Sequence, residues 1–101
     1  MKRKPVRIRS EAQVEIEEAF DRYRAESREA AERFLNEIGT SLDLIRFHPR
    51  LYPMATKSTR RRVLHSFPYS VVYAERHDVI LVIAVAHAKR RPEYWGGRLK
   101  Q

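Results

Sequence analysis

The densest group of ionisable and aromatic side chains stands near the end of the chain. His87, Lys89, Arg90 and Tyr94 occupy a stretch of eight positions that directly follows the apolar run 79–86. Imidazole, amine and phenol groups move protons, and guanidinium groups stabilise negative charge that develops during a reaction. An attack by a ribose 2′-hydroxyl on its neighbouring phosphate requires groups of these kinds. His87 or Lys89 would act as the base and Tyr94 as the acid.

A second basic group, formed by Arg60, Arg61, Arg62 and His65, precedes that stretch. In the same reaction Arg61, Arg62 or Arg90 would hold the phosphate, and His65 would be an alternative acid. Basic and aromatic residues at the edge of a sheet are equally typical of a surface that only binds a polyanion. The residue types therefore leave both catalysis and binding without catalysis open.

Other kinds of site find little support in the sequence. The four histidines, at positions 48, 65, 77 and 87, are widely spaced, and the chain has no cysteine. Neither a zinc-ligand spacing nor a glycine-rich phosphate loop occurs. We therefore expect no metal and no cofactor.

The charge of the chain is large and unevenly distributed. The net charge is +8, and residues 44–101 carry twelve Lys and Arg but only three of the thirteen Asp and Glu. Such a field attracts nucleic acid, a ribosome or an acidic protein. The longest apolar run has eight residues, far below the roughly 20 that span a bilayer, and the basic N-terminus lacks the apolar segment of a secretory signal. We expect a cytoplasmic protein without membrane contact, and residues 1–101 fit a single domain.

Two amphipathic helices are predicted in the first half of the chain. Ser10 begins an S-E-A-Q capping box, and apolar residues from Ala12 to Tyr23 recur with helical spacing. After a break at 24–26, Ser27 is expected to cap a second helix, which ends before Pro49. The short connection predicts an antiparallel hairpin.

Four strands are predicted around the helices. Residues 5–9 alternate as a short N-terminal strand, and 61–67, 69–75 and 79–86 follow the helices as three more. Eight consecutive apolar residues require cover on both faces, so 79–86 is expected at the centre of the sheet. The predicted fold class is α+β: an N-terminal strand, an antiparallel two-helix hairpin and a three-stranded antiparallel meander, which form one four-stranded sheet followed by a short C-terminal tail.

This order of elements resembles the RelE/ParE superfamily of toxins from bacterial type II toxin–antitoxin systems, over nearly the whole chain. FHPRLYP at 47–53 is similar to the family's break after the helical hairpin. RRRVLHSFPYSVVY at 60–73 is similar to its arginine-led strand, turn and tyrosine-ended strand, and VIAVAHAKRRPEYW at 82–95 to its last strand and basic, aromatic tail. The resemblance implies a toxin that a small cognate antitoxin neutralises in a hetero-oligomer.

The resemblance also implies two kinds of target. RelE-type members are similar to metal-independent ribonucleases that cut messenger RNA on the ribosome, and ParE-type members are associated with inhibition of DNA gyrase. Arg61 and Tyr94 fall where RelE-type toxins carry a catalytic lysine and a functional tyrosine, but Val63, Ser70 and Ala88 replace a lysine and two arginines. The resemblance is therefore closer to ParE. We expect a growth inhibitor acting on gyrase, with a RelE-like endoribonuclease as the alternative and a non-toxic, basic nucleic-acid-binding module as a second alternative.

Candidate contacts for the antitoxin follow from the same resemblance. The family implies that a segment of the antitoxin lies over the helical hairpin and the sheet. Val14 is an apolar residue off the main stripe of the first helix, and it is the candidate apolar contact. Arg60, Arg61 and Arg62 are the candidate partners for acidic residues of that segment.

Overall fold

The computed structural model describes residues 3–100, and it confirms the predicted α+β order of elements. Neither helix within these residues is both long and apolar enough to cross a membrane. The elements are β1 Val6–Ile8, α1 Ser10–Glu26, α2 Arg28–Phe47, β2 Arg60–Val63, β3 Tyr69–Glu75, β4 Ile80–His87 and a 3₁₀ helix at Gly96–Lys100.

The two helices are separated by a single non-helical residue, Ser27. Its side chain accepts a hydrogen bond from the Ala30 backbone N–H at 3.0 Å, which confirms the predicted cap. The prediction of a capping box at Ser10 was wrong, because Arg9 occupies the cap position and its side chain makes no capping hydrogen bond. The Arg9 N–H pairs with the Val82 carbonyl at 3.0 Å, while the Arg9 carbonyl accepts the first helical bond at 2.9 Å. The strand therefore passes directly into the helix. The break predicted at 24–26 was wrong, because these residues are helical and only Ser27 separates the two helices.

The four strands form one mixed sheet in the order β1-β4-β3-β2. β1 runs parallel to β4, whereas β2, β3 and β4 form the predicted antiparallel meander. β4 is therefore interior, as its apolar run predicted. β2 is shorter than predicted because the chain turns away after Val63, and the Leu64 N–H bonds the Tyr69 carbonyl across that turn at 2.9 Å.

The two helices cover one face of the sheet. Their apolar stripes pack on alternate side chains of β3 and β4, such as Tyr69, Tyr73 and Val82. Aromatic rings dominate one end of this core, where the ring centroids of Phe34 and Tyr69 lie 5.5 Å apart and their planes are inclined at 63°. Tyr73 is fully buried, and its hydroxyl donates to the Pro49 carbonyl at 2.6 Å.

The C-terminal tail covers the other face. Trp95, which is 5% exposed, packs with Val72, Leu81 and Ile83 in a second apolar cluster. A bulge near Val72 and Tyr73 places two successive residues of β4, Ile83 and Ala84, in this cluster. Both faces of the central strand are thus removed from water, which is why it tolerates a continuous apolar sequence.

Candidate functional site

β3 and β4 bring His87 to the end of the sheet, where it pairs with Tyr69. The two rings meet edge to face with their centroids 4.9 Å apart. Beyond His87 the chain makes a tight turn, held by a hydrogen bond from the Ala88 N–H to the Pro68 carbonyl at 2.8 Å. We call the surroundings of this residue the strand-end site. It is formed by two cavities, one on each side of His87.

The cavity on the helix side has a volume of about 420 Å³. Its lining mixes charges of both signs, because Glu15 and Glu18 from α1 face Lys89 and Arg90 from the tail. The cavity on the opposite face of the sheet, of about 330 Å³, is more cationic. Its charged lining is Arg61, Arg90, Arg91 and Glu93, with His87 and Tyr94 beside them.

The register of β2 separates the three consecutive arginines. Arg61 pairs with Val72 and lines the cavity on the tail side, next to His87. Arg60 and Arg62 point to the helix side, where Arg60 donates to the Tyr52 carbonyl at 2.7 Å and Arg62 to the Ser41 hydroxyl at 3.0 Å. Arg62 was expected to hold a phosphate in one reaction with His87 and Tyr94, and its placement beside them was wrong, because neighbouring residues on a strand face opposite ways.

The other residues predicted for the site also fall into two groups, those beside His87 and those away from it. Lys89, Arg90 and Tyr94 all lie beside His87. His65 is exposed in the turn between β2 and β3, where its backbone N–H donates to the Glu37 carboxylate, and it lines neither cavity of the strand-end site. Val14 is 49% exposed on α1.

Glu15 and Arg98, which the sequence did not single out, organise the site. The Glu15 carboxylate accepts hydrogen bonds from the Tyr94 hydroxyl at 2.6 Å and from the Val85 backbone N–H at 3.0 Å. Both terminal nitrogens of Arg98 also donate to it, at 3.0 and 3.1 Å. Arg98 further donates to the Ile83 carbonyl at 3.1 Å. The two side chains are 11% and 18% exposed, so this ion pair is largely shielded from water.

This cluster forms because β1 is short. β1 pairs only with residues 80–82 of β4, which leaves the later backbone groups on that edge of β4 without a neighbouring strand. Two side chains take the place of the missing strand. Glu15 accepts a hydrogen bond from the Val85 N–H, and Arg98 donates one to the Ile83 carbonyl. Unpaired backbone groups in such a position would be costly. Reasoning from local sequence missed this cluster because Glu15 precedes Tyr94 by 79 positions and Arg98 by 83.

The cluster also changes the chemistry of Tyr94. Burial, together with the hydrogen bond to Glu15, raises the pKa of Tyr94 well above its ordinary value. The phenol stays neutral and its proton is directed at Glu15. The Arg90 guanidinium lies 3.8 Å from the centroid of the Tyr94 ring, which further fixes the ring in place.

His87 is constrained as well. Its Nδ1 atom accepts a hydrogen bond from the Lys89 backbone N–H at 3.0 Å. An accepting Nδ1 assigns the proton of the neutral ring to Nε2. The neutral imidazole therefore has no free lone pair with which to remove a proton from a substrate.

The site contains no obvious place for a metal ion. Among residues 3–100, no three His, Asp or Glu side chains are grouped so that they could hold one. The positive charge around the strand-end site comes instead from exposed side chains, chiefly Arg61, Lys89, Arg90 and Arg91.

Comparisons with known proteins agree with this architecture. A model of the family described as "ParE toxin of type II toxin-antitoxin system, parDE" matches residues 6–92. A solved structure titled "Chromosomal ParDE TA system from P. aeruginosa" contains a similar chain, with a TM-score of 0.74 and 12% identity over 85% of this chain and 97% of that one. At this identity the structural likeness concerns the fold. A comparison with curated protein sequences finds no match. Because the family model spans most of its residues, the chain belongs to the ParE toxin family of type II toxin–antitoxin systems.

Proposed function

We propose that this protein is a cytoplasmic toxin that arrests growth by binding its target, and that a cognate antitoxin neutralises it by direct contact. DNA gyrase is the proposed target, because the chain belongs to the ParE family. One observation carries the preference for binding over RNA cleavage. The two best proton-transfer groups of the strand-end site, Tyr94 and His87, are already engaged within the fold.

Cleavage of RNA without a metal needs a base that takes the proton of the 2′-hydroxyl and an acid that protonates the leaving oxygen. Tyr94 would have to break its bond to Glu15 before it could donate elsewhere, and its raised pKa makes it a weak acid. His87 would have to lose the Lys89 N–H from Nδ1 before it could act as the base, either through Nδ1 itself or, after a change of tautomer, through Nε2. Glu15 and Glu18 partly offset the cations that line the helix-side cavity, Arg22, Lys89 and Arg90, so this cavity attracts a phosphate less than the tail-side cavity does.

The exposed cations support a binding role. Arg61, Arg90 and Arg91 border one cavity on the tail side of the sheet, and Lys89 lies next to them in the chain. Such a surface steers an acidic partner by long-range attraction and pairs with its carboxylates or phosphates on contact. This mode of action makes no demand on the protonation state of Tyr94.

The deciding experiment pairs two assays on one protein preparation and one induced culture. We expect purified toxin to block supercoiling by gyrase, while primer extension on cellular messages from the induced culture shows no toxin-dependent cuts. Co-expression of the neighbouring antitoxin gene should restore growth. Codon-phased cuts that disappear in a Tyr94→Phe variant, with supercoiling unaffected, would replace the proposal with the ribonuclease.

A matched pair of variants tests the surface. Arg61→Ala with Arg91→Ala removes two cations from the strand-end site, whereas Arg24→Ala with Arg33→Ala removes two exposed cations from the helices. We expect the first pair to raise the toxin concentration for half-inhibition of gyrase about tenfold, which corresponds to about 1.4 kcal/mol of binding free energy. The second pair should have little effect. Equal losses of inhibition in the two pairs of variants would show that binding to gyrase depends on the net charge of the protein and not on the strand-end site.

The ribonuclease remains the second candidate, and one observation favours it. Arg61, His87, Arg90 and Tyr94 all border the same cavity, of about 330 Å³. Rearrangement of Tyr94 and His87 on a ribosome would convert that cavity into a metal-independent nuclease site. The primer-extension arm of the paired experiment decides between the two functions.

Val14 and Arg61 are the proposed antitoxin contacts, because both are exposed. Arg60 and Arg62 are half-buried and bonded within the fold, so they offer less to a partner. A Val14→Asp variant should remain toxic but escape rescue by the antitoxin. Full rescue of this variant would place the antitoxin elsewhere.

A further inference from the structure

A groove lies at the opposite end of the sheet from His87. It is bordered by the C-terminal end of α2, the turn that follows it and the start of β4, and its volume is about 740 Å³. Ile80 lines it, and Ile80 and His87 are the two ends of β4. At about 3.3 Å per residue, the groove is about 23 Å from the strand-end site. We call it the α2-end groove.

The charge of the α2-end groove is strongly positive. Its lining contains Arg3, Lys4, Arg46 and Arg50, with Glu75 as the one carboxylate. Glu75 is already engaged, because Lys4 and Arg50 donate to its two oxygens at 2.9 and 3.0 Å. Within residues 3–100, neither Arg3 nor Arg46 has an ion-pair partner. The α2 dipole places roughly half a negative charge at this end, which the four cations outweigh.

Apolar groups stand beside these cations. Phe47 is 47% exposed and Leu51 is 70% exposed, which is unusual for side chains of this size. The Arg3 guanidinium lies 4.1 Å from the centroid of the Phe47 ring and covers that face of it. The turn that carries Leu51 is fixed, because the Leu51 N–H bonds the His48 carbonyl at 3.1 Å and the Tyr73 hydroxyl bonds the Pro49 carbonyl at 2.6 Å.

We propose that the α2-end groove binds an acidic peptide segment of a partner protein, which carries two bulky apolar side chains between its carboxylates. The carboxylates pair with Arg3 and Arg46, and the apolar side chains pack on Leu51 and the open part of the Phe47 ring. A nucleic acid fits less well, since Arg3 occupies a face on which a base would stack. The inference does not depend on the target of the toxin.

Fluorescence anisotropy on the full chain tests this assignment. The probe is a short labelled peptide in which Asp and Glu flank one Leu and one Phe, and the control peptide has Ser in place of these two. We expect saturable binding of the probe and at least about tenfold weaker binding of the control peptide, because two apolar contacts are lost. Equal affinities for the two peptides would overturn the proposal.

Variants locate the site. Arg3→Ala with Arg46→Ala should weaken binding of the probe about tenfold, whereas the matched pair Arg24→Ala with Arg33→Ala should leave it nearly unchanged. Leu51→Ser changes an exposed residue without altering charge, and it should also weaken binding. Equal effects of the two arginine pairs, or an unlabelled oligonucleotide that displaces the probe more efficiently than the acidic peptide does, would refute a peptide site.

Discussion

Removal of the Glu15 carboxylate should destabilise the fold far more than its position on a helix surface suggests. In a Glu15→Ala variant, Arg98 loses its ionic partner, and the Tyr94 hydroxyl and Val85 N–H lose their acceptor. The tail that carries Trp95 over the sheet is held by the same cluster. The substitution is therefore expected to weaken both the edge of β4 and the packing of the C-terminal tail on one face of the sheet.

The magnitude follows from the burial of the pair. The Glu15 and Arg98 side chains are only 11% and 18% exposed. Breaking a buried ion pair by removal of one partner costs about 3–5 kcal/mol, and the residual exposure favours the lower end, about 3 kcal/mol. Each kcal/mol lowers Tm by roughly 4 °C or more in a chain of this length. A decrease of at least roughly 12 °C is expected.

Urea and thermal denaturation of the purified variants provide the assay, followed by circular dichroism. Glu17→Ala is the matched control, because Glu17 lies on the same helix and is exposed. It should change the free energy of unfolding by less than about 0.5 kcal/mol. The double variant Glu15→Ala with Arg98→Met leaves no unpaired charge and should recover part of the loss. If Glu15→Ala unfolds at the same urea concentration as Glu17→Ala, the cluster does not stabilise the fold as argued.

Three further outcomes are expected. Gly39→Ala should stabilise the protein by about 0.5–1 kcal/mol in thermal denaturation, because a Cβ atom there would meet nothing within 4 Å; a lower Tm would contradict a regular helix at that point. Trp95→Ala should cost about 3 kcal/mol or more, since the ring is 5% exposed; red-shifted emission of this single tryptophan in the native wild-type protein would indicate that the tail does not cover the sheet. Burial raises the pKa of Tyr73 to about 12, so its contribution to stability is fully present below about pH 10 and is lost as the pH rises to about 12. Urea denaturation at alkaline pH measures this loss, and a Tyr73→Phe variant that loses stability over the same pH range to the same extent would exclude Tyr73 as its source.

Much of the fold could be predicted because its signals are local. Helical spacing identified the buried faces of α1 and α2, and the uninterrupted apolar run identified β4 as the interior strand. The boundaries were less accurate where neighbouring elements decide them. Arg9 replaced Ser10 as the helix cap because its N–H is needed by Val82 of β4, and no pattern within the helix itself reports that requirement.

The sequence by itself determined the order of the elements, the central strand, the excess of positive charge in the second half and the likeness to the ParE family. The first three follow from the spacing or type of residues close together in the chain, whereas the likeness rests on the resemblance of segments 47–53, 60–73 and 82–95, and of the order of elements, to that family. Only the tertiary structure decided which charged groups meet. The register of β2 sends Arg61 to the strand-end site and Arg62 to the helices, and packing of the tail directs Tyr94 and Arg98 to Glu15. The physical reason is that strand register and long-range ion pairs depend on how separate elements pack, which local periodicity does not record.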